Sequence, residues 1–106
     1  MPKPPTRTFF SSLLDAPEAP LPEGIAAQTT RTMGNLARAL VALGLGLEHL
    51  VSMRVYLTAF EPDYAAMNAA YAAALPEGGR PVRTCIGVTA LVRGALIEIE
   101  AVAKRP

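Results

Sequence analysis

Apolar and polar positions alternate with the period of a β-strand in three segments of the chain. Val51 to Thr58 carries valine, methionine or leucine at every second position, with polar or charged residues between them. Two later segments, Val82 to Val88 and Leu96 to Ala103, alternate in the same way. Successive side chains of a strand point to opposite faces of a sheet. Each segment therefore predicts a strand, and the pattern separates its two faces.

Two other segments follow the helical period. From Gly24 to Leu43 apolar residues recur on one helical face, with Thr29 filling a gap, which predicts an amphipathic helix ending at Gly44. A second helix is predicted at Asp63 to Leu75, since Pro62 suits a first helical turn. Its stripe consists of Tyr64, Met67, Asn68, Tyr71 and Leu75. The remainder of the helix is alanine, without a charged face. Either another element or subunit covers this surface, or alanine is present because it is the best helix former.

These elements predict an α/β fold with a mixed sheet and two helices packed on one face. A short strand is predicted at Phe9 to Leu14. An irregular, proline-rich connection at Asp15 to Glu23 then leads to the first helix. The segment Val51 to Val88 predicts a parallel strand pair with a right-handed crossover. The last two strands are expected to form an antiparallel hairpin through the loop Thr89 to Gly94.

Alternation also predicts a polar face on this sheet. Arg83, Cys85, Glu98 and Glu100 are expected to lie together on the face turned away from the helices, beside Arg54 and Tyr56. A cation, a thiol and two carboxylates would form a small polar site there. The chain has no further element to cover this face, so a partner subunit is expected to bury it.

Composition narrows the classes of function. The 106 residues form one domain, 1–106, with 1–7 as a proline-rich tail, and 51% of them are hydrophobic, which favours self-association. A net charge of +1 without a basic run gives no electrostatic support for a nucleic-acid partner, and none is expected. A single cysteine fits a reducing compartment. No apolar run is long enough for a signal or a membrane span, so we expect a cytoplasmic protein.

Several segments, taken together, carry a resemblance to a known family. They are Gly24 to Thr29, Asn35-Leu36, Val55 to Thr58, Tyr64 to Tyr71, Pro81 to Cys85 and Arg93 to Ala101. In this order and spacing they resemble the RidA/YjgF family of reactive intermediate imine/enamine deaminases. The resemblance implies a homotrimer whose sheets face a central barrel, with the helices outside and a site in each cleft between subunits.

The resemblance also implies a chemistry and residues to perform it. The expected reaction is hydrolysis of 2-imino acids and their enamine tautomers, such as 2-aminoacrylate, to a 2-ketoacid and ammonia, with neither metal nor organic cofactor. The family's Pro-x-Arg-Ser/Thr motif falls on Arg83, which would bind the substrate carboxylate. The first glutamate of its Ile-Glu-Ile-Glu motif falls on Glu98, which would position water and move protons. The backbone of Cys85 would line the pocket.

The N-terminal part departs from the family pattern. Typical members have a longer lead before this region, so the chain is expected to be an N-terminally shortened member. It reads Ser11-Ser12-Leu13 where the family usually has Ser-Gly-Gln. The resemblance implies that Ser12 is a substrate-binding position, and if it stands where the family's glycine lies, its added Cβ would crowd a backbone that approaches the ligand closely.

Other interpretations of these residues stay open. Arg83 could pair with Glu100 as a structural ion pair, and the glutamates could simply balance the arginines across the sheet. Cys85 could be a small packed hydrophobe. The only histidine, His49, follows the first helix and is expected in an exposed loop, where it serves neither a nucleophile pair nor a metal.

Two alternative functions compete with deamination. A catalytically silent protein of the same fold could use Arg83 to bind a small carboxylate such as a 2-ketoacid. A ribonuclease or translation inhibitor, functions attached to relatives, is disfavoured because the chain is nearly neutral and lacks a basic patch.

Overall fold

A four-stranded mixed sheet with two helices on one face makes up the part of the chain that the structure, a computed structural model, describes, namely residues 6–11, 20–77 and 81–105. The strands are β1 (Thr6–Ser11), β2 (Leu50–Leu57), β3 (Val82–Gly87) and β4 (Ile97–Lys104). Their order across the sheet is β1-β4-β2-β3. The predicted α/β fold is confirmed, and β1 begins earlier than the strand expected at Phe9 to Leu14.

The connections between strands differ from the prediction at one point. β2 and β3 form the predicted parallel pair. However, β4 pairs antiparallel with β2 and with β1, so the prediction of a hairpin between the last two strands is wrong. The chain instead passes the end of β2. There the Val88 N–H donates to the carbonyl of Leu57, and the Thr58 N–H donates to the carbonyl of Leu96 on the other side. The loop Thr89 to Gly94, predicted as a hairpin turn, therefore crosses the end of β2 on its way from β3 to β4.

The first helix, α1 (Ile25–Ala42), matches its predicted limits closely. Its buried stripe includes Met33, Leu36 and Leu40, which are almost completely inaccessible to solvent. The helix ends before Gly44, whose φ of 76° lies in the left-handed region that glycine adopts without strain. Leu43, expected on the buried stripe, is partly exposed because it lies at the C-cap, beyond the last helical turn.

The second helix, α2 (Phe60–Ala74), begins three residues before the predicted Asp63. Pro62 is tolerated at this place because the first turn of a helix has no intrahelical acceptor for its N–H groups. The side chains of Met67 and Tyr71 are buried, whereas several alanines on the outer side are exposed. Neither helix in the described ranges combines the length and the apolarity needed to cross a membrane.

The hydrophobic core lies between the helices and the inner face of the sheet. Met53, Val55 and Leu57 of β2 point into it, as predicted from their alternation. Val51, predicted on the same face, is 41% exposed, and the buried residue at this end is Leu50. A register shift between Leu50 and Ser52 explains the difference, since an irregularity of one residue reverses the alternation.

A buried glutamine joins α1 to two other parts of the fold. Gln28 is 4% exposed, and its Nε2 donates to the carbonyl of Pro22 at 2.9 Å. Its Oε1 accepts a hydrogen bond from the Leu96 N–H at 2.8 Å, just before β4. Both polar ends of the side chain are therefore satisfied, which is what allows an amide to remain inside the core.

The outer face of the sheet carries apolar residues that no described element covers. Val82 is 75% exposed and Ile86 is 45% exposed, and both lie on the edge strand β3. Arg54 and Tyr56 of β2 lie on the same face, opposite Thr84 and Ile86 in the register of the two strands. Among the described residues, one sheet face is thus left open as expected, although its residues on β3 differ from those predicted.

Replacing Gly34 by alanine should stabilise the protein. A Cβ at Gly34 would approach the Nη1 of Arg38 at 3.6 Å, which is an ordinary van der Waals distance. The free energy of unfolding should therefore rise by about 0.5–1 kcal/mol, the helix-propensity difference between glycine and alanine. Urea unfolding measures this change.

The matched control is Gly44→Ala, because no atom lies within 4 Å of its added Cβ but its φ is 76°. That variant should lose about 1 kcal/mol through backbone strain alone. A destabilised Gly34→Ala protein would show that the middle of α1 requires glycine.

Candidate active site

Arg83 lies on the edge strand β3, with its side chain turned toward α2. Its Nη1 donates a hydrogen bond to the Oδ1 of Asn68 at 2.5 Å, and its Nη2 donates to the Oη of Tyr64 at 3.2 Å. All three side chains are only half-buried, so the group is accessible from solvent. A guanidinium held in this way at a protein surface is suited to binding an anion.

Aromatic rings surround the same guanidinium. The Cζ of Arg83 lies 4.8 Å from the ring centroid of Tyr71 and 5.9 Å from that of Tyr64. Both distances are within the range of a cation–π interaction. The Tyr71 hydroxyl donates to the Sδ of Met53 at 3.1 Å, and the Tyr64 ring stacks on Phe60 with 5.1 Å between centroids. The rings that face the cation are thus themselves held in place.

The helical repeat of α2 explains why these residues meet Arg83. Tyr64, Asn68 and Tyr71 are separated by four and three positions, so they lie on one face of the helix. They belong to the stripe that the sequence predicts as the buried face of α2, but their role around Arg83 was missed. The available signal was Asn68, the one amide in an otherwise apolar and aromatic stripe.

The register of β2 and β3 places Arg83 and Cys85 on the helix side of the sheet. Met53 is opposite Arg83, and Val55 is opposite Cys85. Because Met53 and Val55 point into the core, the residues opposite them point the same way. The prediction that Arg83 and Cys85 lie on the outer face is therefore wrong. An edge strand can turn a long charged side chain inward, where its head still reaches solvent beside α2.

Glu98 and Glu100 lie on the outer face, as predicted. In the register of β2 and β4, Glu98 is opposite Tyr56 and Glu100 is opposite Arg54. Arg54 Nη1 lies 3.6 Å from Glu100 Oε1, an ion pair near the surface. The interpretation that Glu100 pairs with Arg83 is wrong, because β2 lies between their strands and their side chains leave opposite faces.

One chain therefore brings Arg83 together with Tyr64, Asn68 and Tyr71, and does not bring it together with Glu98. Strands β3 and β4 flank β2, so they are separated by roughly 10 Å, twice the spacing of neighbouring strands. The opposite orientation of the two side chains adds to this separation. The predicted substrate-binding residue Ser12 lies outside the described residues.

Cys85 behaves as a packed side chain rather than as a nucleophile. It is half-buried and packs against the hydrophobic core. Burial raises the pKa of the Cys85 thiol, and the positive charge of Arg83 opposes that shift without cancelling it. A raised pKa keeps the thiol protonated near neutral pH, where it is a poor nucleophile.

His49 is not in an exposed loop as predicted, and its side chain makes a structural hydrogen bond. It ends a short 3-10 helix, Leu47–His49, and is half-buried. The Gly46 N–H donates to its Nδ1 at 2.9 Å, which closes the turn. Within residues 6–11, 20–77 and 81–105, no group of three histidine, cysteine or acidic side chains is arranged to hold a metal ion.

The sequence matches known proteins over most of its length. The family model described as endoribonuclease L-PSP matches residues 14–105. A 2-iminobutanoate/2-iminopropanoate deaminase from Escherichia coli is 33% identical over 87 residues, covering 80% of this chain and 67% of that protein. Protein DfrA from Myxococcus xanthus is 38% identical over 79 residues, covering 74% of this chain. The chain spans only 59% of the length of DfrA, less than two thirds.

The fold matches solved structures equally well. The crystal structure of RidA from an Antarctic Psychrobacter species superposes with a TM-score of 0.82 at 28% identity. The match covers 99% of this chain and 85% of that one. Both the order of the elements and their packing are therefore shared with that protein.

The Cys85 thiol should titrate above its value in the unfolded chain. The chain has one cysteine, so the pH dependence of its alkylation by iodoacetamide, followed by mass spectrometry, reports this group alone. Arg83→Gln should move the midpoint still higher, because it removes the charge that lowers the pKa.

The contribution of Cys85 to stability should be fully present below the pKa of the thiol in the unfolded chain, and it should be lost as the pH rises through the pKa of the thiol in the folded protein. A folded midpoint below the unfolded midpoint would contradict this assignment.

Proposed function

We propose that this chain, which belongs to the RidA/YjgF family, hydrolyses 2-imino acids and their enamine tautomers to a 2-ketoacid and ammonia. The observation that carries the proposal is the Arg83 guanidinium, held by α2 at an accessible edge of the sheet. The E. coli relative named for deamination of 2-iminobutanoate and 2-iminopropanoate supports the substrate class.

In this mechanism Arg83 binds the substrate carboxylate. Guanidinium presents five N–H donors in a rigid plane and forms paired, charge-assisted hydrogen bonds with a carboxylate. Two donors are engaged by Asn68 and Tyr64, which leaves three for the substrate. Binding at the carboxylate fixes the neighbouring imine carbon relative to the protein, and such positioning accelerates an intrinsically easy hydrolysis.

Glu98 activates the water. The substrate reacts as the iminium ion, already protonated on nitrogen; the water oxygen bonds to the imine carbon, the electron pair of the carbon–nitrogen π bond moves to nitrogen, and the Glu98 carboxylate accepts one water proton. Glu98 then returns that proton to the amine nitrogen of the carbinolamine, the carbon–nitrogen bond breaks with its electron pair leaving on ammonia, and the hydroxyl proton passes to Glu98 as the ketone forms; Glu98 finally releases this proton to solvent. These transfers balance without an oxidant or a reductant, and general acid–base catalysis by one carboxylate suffices for them.

A second copy of the chain completes the site in this proposal. Within one chain Arg83 and Glu98 leave opposite faces of the sheet, so one small substrate cannot contact both of them there. The open sheet face, with Val82 and Ile86 exposed, supplies an apolar surface for such an association. A homotrimer with a site in each cleft brings Arg83 of one subunit near Glu98 of another.

The alternative is a silent carboxylate-binding protein of the same fold. It would use the same Arg83 cluster and differ only in lacking productive proton transfer by Glu98. The two functions separate in a single assay, because only the deaminase releases ammonia from an imino acid.

Arg83→Ala should abolish most of the activity. A hydrogen bond to a charged group contributes about 1.5–3 kcal/mol, so kcat/KM should fall by at least about tenfold. The assay generates imino acids in place with an amino-acid oxidase and follows ammonia. Arg31→Ala, an exposed arginine on α1, is the matched control and should retain wild-type activity. Equal rates for wild type and the no-protein blank would sink the enzymatic proposal.

Mixing two inactive variants tests whether the site is shared between subunits. Arg83→Ala and Glu98→Ala chains are unfolded together and refolded in equal amounts. If the two groups come from different subunits of a ring, about one quarter of the sites regain both, and activity returns in that proportion. If both groups act from one chain, the mixture stays as inactive as its parents.

A further inference from the structure

Helix α2 makes more contacts with Arg83 than carboxylate binding by the guanidinium requires. An exposed arginine would bind a carboxylate without help, yet this guanidinium has two hydrogen-bonding partners and an aromatic ring on its face. We propose that Tyr64 and Asn68 are positioning residues that hold the Arg83 guanidinium in its carboxylate-binding orientation, with the Tyr64 hydroxyl setting the affinity. This inference rests on the proposed function, since it concerns the same anchor.

The geometry restrains the guanidinium in separate ways. Asn68 holds Nη1 at 2.5 Å and Tyr64 holds Nη2 at 3.2 Å, so rotation about the last bond of the side chain would break both hydrogen bonds. The Tyr71 ring supports the cation at 4.8 Å. Together these contacts determine both the position of the charge and the plane of its donors.

The restraints are themselves anchored in the core. Tyr71 is 4% exposed and donates to Met53, the residue opposite Arg83 in the register of β2 and β3. The Tyr64 ring stacks on Phe60 at an interplanar angle of 26°. Phe60 in turn lies close to β3, since a Cβ on Gly87 would meet the Phe60 Cβ at 3.3 Å. The Tyr64 hydroxyl is therefore delivered from a rigid support.

Such support raises the affinity for a carboxylate, because binding then costs less conformational entropy of the arginine side chain. A free arginine side chain populates many rotamers and loses them when it captures a ligand, whereas a positioned one has lost them on folding. Asn68 and Tyr64 offer neutral oxygen acceptors, so they orient the guanidinium without cancelling its charge. A carboxylate at either position would orient it equally well but would compete with the ligand.

A purely structural role makes a different prediction. If the contacts served only to fasten β3 to α2, strengthening them would stabilise the fold and leave ligand binding unchanged. Asn68→Asp distinguishes the two roles, because it converts a neutral contact into a charge-assisted one. A positioning role requires that this variant stay folded while its anion binding falls.

The experiment measures pyruvate binding to the full chain by calorimetry, with thermal unfolding as the check on folding. Tyr64→Phe should keep the ring stacking and weaken pyruvate binding roughly threefold to tenfold, as expected for one lost hydrogen bond. Thr30→Val removes a hydroxyl from an exposed position on α1 and should leave the affinity unchanged. Asn68→Asp should weaken binding by more than about tenfold without lowering the melting temperature.

Two further readouts exclude a structural explanation. NMR spectra of the guanidinium nitrogens should show faster rotation of Arg83 in Tyr64→Phe than in wild type. In the deaminase assay, that variant should raise KM with little change in kcat, because it alters binding and leaves proton transfer untouched.

Equal pyruvate affinity in wild type, Tyr64→Phe and Asn68→Asp would overturn the inference, as would a wild-type protein that binds no pyruvate. Failure of the proposed function looks different. In that case pyruvate binds and the variants weaken it as expected, but the wild type releases ammonia no faster than the blank.

Discussion

The parallel register between β2 and β3 is the constraint on which the site depends. It sets Arg83 opposite Met53, and Met53 points into the core beneath α2. Side chains opposite each other in a sheet share a face, so the arginine must follow the methionine toward the helices. Its long aliphatic stem makes this possible at an edge strand, where the charged head can still reach water. A shift of the register by one residue would send the guanidinium to the other face, away from every residue that now holds it.

The second helix serves the core and the site at once. Met67 and Tyr71 bury their side chains against the sheet, while Asn68 and Tyr64 lie nearer the edge and contact Arg83. Tyr71 does both, because its hydroxyl contacts a core methionine and its ring faces the guanidinium. Packing of the core and support of the Arg83 guanidinium are thus coupled through one helix face. The carboxylates occupy the other side of the sheet, where Glu100 pairs with Arg54 and no element in the described part of the chain covers the apolar residues of β3. This division is the physical reason to look for a complete site between copies of the chain.

Much of the fold could be predicted from the sequence, because each element carries a local signal. The 3.6-residue stripe located α1, the two-residue alternation located β2, and the parallel pair followed from an intervening helix. The errors have equally specific causes. The bulge at Leu50 and Ser52 reversed the environment of Val51, and the short loop before Gly94 suggested a hairpin although β4 pairs with β2. Alternation identifies two faces of a strand, but it does not state which face the helices cover. On β3 the apolar face was assigned inward, and Val82 and Ile86 point outward instead.

The family, the class of fold and the residue types that could bind a carboxylate were predictable from the chain alone, since motifs and periodicity are local properties. The surroundings of those residues depend on long-range contacts. Strand order is set by pairings between distant segments, and those pairings moved Arg83 and Cys85 away from Glu98 and Glu100. They also brought Asn68 and Tyr64, which are fifteen and nineteen residues distant in the chain, within hydrogen-bonding distance of the guanidinium. No local pattern encodes such a contact, because it depends on how a helix and an edge strand pack after the sheet has formed.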